Sequence, residues 1–220
     1  MESENSKADR PNDMPWFIVG RLQEFAGEER ANVLRAIGIA SFYALELINY
    51  YGLNLGFLEL QPVADVDEKF HRAVTLLAVA WTMVALGILL CLRSRVFPAS
   101  LKYISTGCDI ILLTSILMVA DGPRSPLVVG FFLVIVLSAL RFRLGLIRFS
   151  ALGSMAGYLF LSGYAKWFTD RDLRVPRYHQ LIMLLALGLT GIVLGQVIRK
   201  VHGMAGEYVE RLEDASETNE

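Results

Sequence analysis

The feature that most restricts this chain is the run AVTLLAVAWTMVALGILLCL, residues 73–92, twenty residues without one charge. As a helix it is about 30 Å long, the thickness of a bilayer's hydrocarbon core. A water-soluble core has no need of so long an unbroken run. Elsewhere the chain repeats the theme: 54% of its residues are hydrophobic and its charges gather in short clusters, a membrane-protein composition. Apolar runs between those clusters predict six spans, at 36–57, 73–92, 104–120, 127–140, 147–167 and 181–198. The fold class expected is therefore all-α, a polytopic bundle of six transmembrane helices. The fourth span has only fourteen residues, so it needs Ser125 and Pro126 to extend it at one end and Arg141 to snorkel at the other.

The placement of basic residues predicts sidedness. Arg30 and Arg35 precede the first span, Arg93, Arg95 and Lys102 fill the second connection, Arg141, Arg143 and Arg148 the fourth, and Arg199, Lys200 and His202 follow the sixth. The first connection instead carries Glu59, Asp65, Asp67 and Glu68 against Lys69. The positive-inside rule then places both termini in the cytosol of a bacterial inner membrane. The first thirty residues carry seven acids and four bases, unlike a secretory signal peptide, so insertion is expected through the spans themselves. Cys91 and Cys108 fall near the predicted cytosolic ends of spans, where thiols stay reduced, and no disulfide is expected.

Four regions follow. Residues 1–12 form a polar tail with little to bury and are expected to be disordered. Residues 13–35 read as a cytosolic juxtamembrane amphipathic helix, capped by Asn12 or Asp13 with Pro15 in the first turn, and with Trp16, Val19, Leu22 and Phe25 at helical spacing. Residues 36–198 are the membrane domain, and 199–220 a cytosolic exit helix with an acidic tail.

Candidate functional residues fall into four sets. Glu46, with Asn49 near it, and Asp109 are polar groups at membrane depth; an acid there is protonated, paired or facing a cavity, and either a ligand site or interhelical hydrogen bonding accounts for it. The outer turn DGPRSPL, with Asp121, Arg124 and Ser125, shares a predicted face with Trp167, Tyr178, His179 and Gln180, a cluster suited to a quinone or lipid head group, although an aromatic belt also explains Trp167 and Tyr178. Gly153 and Gly157, with Ser150, and then Gly188, Gly191 and Gly195 mark close helix packing, within one bundle or between two copies. Leu194, Val197, Val201, Met204 and Tyr208 follow heptad spacing and predict a short parallel stalk, fraying at Arg211. No cofactor is expected: His71 and His179 at span ends are thin grounds for bis-imidazole haem. No metal or catalytic motif is present in the sequence, so an enzyme is not expected, and the partners expected are membrane lipid and a second copy or an unlike protein, not nucleic acid.

The segment STGCDIILLTSILMVADGPRSPLVVGFFLVIVLSALRF, residues 105–142, resembles the third and fourth spans of the six-helix membrane modules that precede bacterial sensor histidine kinases, diguanylate cyclases and class III adenylate cyclases. The residues that carry the resemblance are Asp109, Thr114, Gly122, Ser125, Pro126, Ala139 and Arg141. It implies a sensory or anchoring module, here without an output domain. In redox-responsive kinases of this type the turn reads Gly-Gly-x-x-Asn-Pro-Phe and goes with quinone sensing; this chain has Asp121, Ser125 and Leu127 at the differing positions. Two alternatives stand beside it, an accessory subunit of a membrane complex and a small proton-coupled transporter using Glu46 and Asp109.

Overall fold

A computed structural model describes residues 13–54, 59–60, 68–94, 100–168, 173 and 175–217. The tail 1–12 and the charges Asp65, Asp67, Arg95 and Arg174 lie outside the described residues, as do the side chains of Trp16, Val19, Leu22 and Tyr208.

Six α-helices make up almost all of the described chain: α1 Asp13–Tyr51, α2 Glu68–Arg93, α3 Leu101–Val119, α4 Gly130–Ala139, α5 Leu144–Trp167 and α6 Arg177–Glu217. Among the described residues the strand pairing is a two-residue antiparallel ladder, β1 Leu53–Asn54 with β2 Glu59–Leu60, beyond the end of α1. Among the described residues five helical segments are long and apolar enough to cross a membrane: Phe25–Tyr51, Glu68–Arg93, Leu101–Val119, Leu144–Trp167 and Arg177–Gly206. The distribution of side chains agrees with a lipid solvent. Leu76, Met83, Leu152, Phe160, Leu181 and Leu185 point outward, while Ser105, Thr106, Asp109, Ser138, Ser150 and Ser154 are buried. In water such an arrangement would expose apolar surface and bury hydroxyls; in lipid the outward side chains cost nothing and the inward ones hold helices together. These features are consistent with a multi-pass membrane protein.

Three expectations change in the structure. First, α1 runs unbroken through residues 35 and 36, since nothing between the anchor segment and the span breaks a helix. It stops at Tyr51, short of residue 57, because Gly52 takes φ +74 and donates its N–H to Ile48 O at 2.8 Å, a glycine C-terminal stop. Second, the fourth apolar segment Pro126–Ala139 is shorter than a spanning helix. One side of it packs against the bundle: α4 touches α1, α3, α5 and α6, and Phe131 and Ile135 are fully buried, while Leu133 and Val136 face outward. Third, Arg141, expected to snorkel toward water, is 3% exposed.

The α3–α4 connection is as tight as its prolines require. Two 3₁₀ turns, Gly122–Arg124 and Pro126–Val129, meet at Ser125, whose hydroxyl accepts from Leu127 N at 3.3 Å. Gly122 has φ +60, a conformation glycine adopts without cost. The core that these elements enclose includes Leu113, Leu117, Phe131, Ile147, Leu161 and Leu187.

Candidate functional site

The most elaborate polar site lies at the end of the bundle that carries the arginine-rich connections. On α1, Glu28, Asn32 and Arg35 follow one another at four- and three-residue steps, and on α3 Lys102, Ser105, Thr106 and Asp109 follow at three-, one- and three-residue steps. Each set therefore forms one face of a helix. All seven residues are buried, and so is Arg141, in the turn between α4 and α5.

Two ion pairs organise them. Arg35 grips Asp109 with both prongs of its guanidinium: Nε donates to Oδ1 and Nη2 to Oδ2, each at 2.7 Å. This planar fork matches a carboxylate in a way lysine does not. Arg35 Nη1 donates to Asn32 Oδ1 at 2.8 Å, Asn32 Nδ2 donates to Ala85 O on α2 at 3.1 Å, and Trp81 Nε1, also on α2, donates to Asp109 Oδ1 at 2.8 Å. Three helices are thereby tied through one carboxylate. The second pair sits two turns back along α1. Arg141 Nη2 donates to Glu28 Oε1 at 2.8 Å and to Ser105 Oγ at 3.0 Å. Its Nη1 donates to Thr106 Oγ1 and, at 3.3 Å, to Lys102 O. Arg141 Nε also lies 2.8 Å from Glu28 Oε2, an ionic contact off the line of a hydrogen bond.

Burial pushes the Arg141 guanidinium below the usual arginine range; Glu28 raises it again, Arg35 lowers it and Asp109 raises it. Arginine nonetheless keeps its proton in proteins, so Arg35 with Asp109 and Arg141 with Glu28 form two buried ion pairs close enough to act on one another. Gly27 makes the second pair possible. A Cβ at that position would come within 2.9 Å of Leu140 O and 3.3 Å of Arg141 Cα, so only a glycine lets α1 approach the α4–α5 turn closely enough. Within that turn Phe142 takes φ +50, a left-handed conformation that costs a side-chain-bearing residue about 1–2 kcal/mol.

A second polar contact ties the far ends of α1 and α2. Glu46 Oε1 lies 2.8 Å from His71 Nδ1, and the Tyr50 ring stacks on the imidazole at 4.0 Å with planes 6° apart. One turn inward, Tyr43 and Thr75 hydroxyls meet at 3.2 Å. Among the described residues, Glu46 Oε2 is buried without a hydrogen-bond partner. Asn49, predicted to share this region, is exposed.

The residues of the predicted outer cluster lie mostly at the surface. Asp121, Arg124, Trp167, Tyr178 and His179 are all exposed. Ser125 uses its hydroxyl to cap the turn, and Gln180 Nε2 donates to Val175 O at 3.1 Å. His71 and His179 have separate neighbours, Glu46 with Tyr50 and Tyr178 respectively. Among the described residues no group of three or more His, Cys, Asp or Glu is placed to hold a metal ion, and both cysteines are free thiols.

The glycines divide between two faces of α5. Gly153 and Gly157 meet α3, where an added Cβ would lie 2.6 Å from Ile110 Cδ1 and 2.9 Å from Thr114 Oγ1. Gly191 of α6 meets the other face, 2.6 Å from Ala151 Cβ by the same measure. The stalk positions Val197, Val201 and Met204 are exposed and Leu194 is half-buried.

Sequence reasoning found Asp109 and Glu46 but not Glu28, Asn32, Arg35, Trp81 or Arg141 as their partners or neighbours in the network. The available signal was the recurrence of polar residues on one face of two apolar helices, which marks an interhelical polar seam. No protein-family model, curated protein or solved structure matches this chain.

Proposed function

We propose that this chain is a sensory or anchoring module of a bacterial inner membrane, with both ends cytosolic, which relays a membrane or periplasmic state through its last helix to a cytosolic partner. The observation that carries this reading is the continuity of α6. It runs 41 residues without interruption from Arg177 to Glu217, about 60 Å at the helical rise. Its exposed apolar residues continue past the basic collar of Arg199 and Lys200 to Val201 and Met204. A rigid rod that crosses the bilayer and extends beyond it transmits rotation or displacement with little loss. The resemblance of 105–142 to modules preceding signalling enzymes supports the same conclusion.

The mechanism is a population shift between two packings of the bundle. The seam between α5 and α6 supplies a place to shift, because at Gly191 and Ala151 the helices touch with no intervening side chain. The buried ion pairs hold α1, α2, α3 and the α4–α5 turn as a fixed frame against which α6 moves. Disulfide cross-linking in native membranes tests the relay, using single cysteines from 201 to 208 in a Cys91→Ser, Cys108→Ser background. Cross-linking that peaks with helical period at Val201 and Met204 supports a parallel pair of exit helices. Uniform or absent homodimer cross-linking, with capture of unlike proteins instead, moves the assignment to a subunit of a larger complex.

The Glu46–His71 contact favours a second reading, a proton-coupled carrier, since a buried carboxylate with one unpartnered oxygen beside an imidazole is a place to hold a proton. Glu46→Gln is the test: loss of a solute's proton-dependent uptake supports the carrier, and unchanged transport across a solute panel removes it.

A further inference from the structure

Between α5 and α6, at the end of the bundle that carries the arginine-rich connections, lies a groove of about 350 Å³. Its existence follows from the glycines of α6. The two helices touch at Gly191, whereas at Gly188 and Gly195 the nearest side-chain atoms, Met155 Sδ and Leu144 Cδ2, would lie 3.8 and 4.0 Å from an added Cβ. Gly188 and Gly195 thus each leave a methyl-sized gap in the seam, one on either side of the contact. Leu152 and Ile192 complete the apolar wall, and Arg148 from α5 with Arg199 and Gln196 from α6 line the same groove. Arg148 and Arg199 are exposed, and among the described residues neither has an ion-pair or hydrogen-bond partner.

We propose that this groove binds an anionic phospholipid, its phosphate held by Arg148 and Arg199 and one acyl chain laid along the glycine-floored seam. The chemistry of the lining selects that occupant. Two guanidiniums at one end call for an anion with several acceptor oxygens, and the uncharged remainder calls for a hydrocarbon chain. The length agrees: from Gly188 to Arg199 the helix rises about 16 Å, close to half of a hydrocarbon core of about 30 Å, which is one leaflet's depth. Gln196, one turn before Arg199, is placed at the level of the ester oxygens. Soluble phosphate would leave the apolar seam unused, and a neighbouring protein helix would leave the two guanidiniums unanswered.

The site lies on the seam through which α6 is proposed to move, so an anionic lipid there would bias the packing of α5 against α6. Binding itself does not depend on that relay and is tested separately from it.

The test is native mass spectrometry of the purified full chain, incubated in detergent with equal amounts of phosphatidylglycerol and phosphatidylcholine. The wild type should retain phosphatidylglycerol in preference, by on the order of tenfold or more. Arg148→Gln and Arg199→Gln should each lower that preference roughly fivefold, and the double change should nearly abolish it. Arg148→Lys with Arg199→Lys should keep most of it. Gly195→Leu, which fills the floor but leaves both arginines, should reduce retention of the diacyl lipid. Arg93→Gln, an exposed arginine on α2, serves as the control. The proposal is overturned if the wild type shows no preference, if Arg93→Gln lowers it as much as the groove changes do, or if millimolar inorganic phosphate displaces the lipid completely.

Discussion

Removing either member of the Arg35–Asp109 pair should be far more damaging than removing both. The two side chains are 1% and 4% exposed, so Asp109→Leu leaves a buried guanidinium with Asn32 Oδ1 as its remaining hydrogen-bond acceptor. Arg35→Met leaves a buried carboxylate whose remaining hydrogen-bond donor among the described residues is the indole N–H of Trp81. Breaking a buried ion pair from one side costs about 3–5 kcal/mol, and if the two changes acted independently the double variant would lose about 6–10 kcal/mol by the same figures. In the double variant no charge remains uncompensated. What remains are the Trp81 N–H and the Asn32 Oδ1, stranded at about 1 kcal/mol or somewhat more each, against an apolar pair that packs well in a bundle interior. The double should therefore lose about 2–3 kcal/mol, a non-additivity well beyond the roughly 0.5 kcal/mol scatter of independent sites. Reversible unfolding in mixed micelles of dodecyl maltoside and SDS, followed by far-ultraviolet circular dichroism, measures all three variants. A double-variant loss equal to the sum of the singles would refute the reasoning, because it would mean that each residue contributes to stability by contacts other than with its partner.

Three further outcomes are expected. Gly191→Ala should destabilise the α5–α6 contact by about 1–3 kcal/mol through overpacking, and Ala151→Gly in the same chain should restore most of it, as read by thermal denaturation in detergent. Gly27→Val, whose Cβ meets backbone rather than a movable side chain at 2.9 Å, should cost at least about 3 kcal/mol by forcing α1 off the α4–α5 turn. The same change should make Ala31→Cys, at a position one turn along α1 that is fully buried, accessible to a thiol reagent that is excluded when Gly27 is kept. Phe142→Gly should raise stability by about 0.5–1 kcal/mol, since glycine adopts the φ of +50 without penalty and the side chain removed is 44% exposed; a loss of stability there would show that the Phe142 side chain contributes more than its exposure indicates.

The sensory reading and the lipid groove draw on different parts of the molecule, and their tests separate them. Cross-linking at Val201 and Met204 reports what α6 meets beyond the bundle; lipid retention reports what lies against it inside. Either result can hold while the other fails.

The sequence by itself determined the helical class, the number of apolar segments and their order. Those features follow from local physics, because a segment in lipid must satisfy its own backbone hydrogen bonds and must be long enough to cross. Residues 73–92 announce a span whatever their neighbours are. It also marked Asp109 and Glu46, since a carboxylate within an apolar run is costly wherever the helix packs. It did not determine what those acids pair with. Arg35 and Arg141 were counted as ordinary members of basic clusters, and only the tertiary structure turned them inward onto Asp109 and Glu28. The pairing of Arg141 with Glu28 joins residues 113 positions apart and depends on how α1 crosses the α4–α5 turn at Gly27, a contact between backbones that leaves no periodic trace in either segment. The short fourth helix is a similar case. Its fourteen apolar residues look deficient as a span, and only the tertiary structure shows which of them pack: Phe131 and Ile135 are fully buried where α4 meets its neighbours, while Leu133 and Val136 stay exposed.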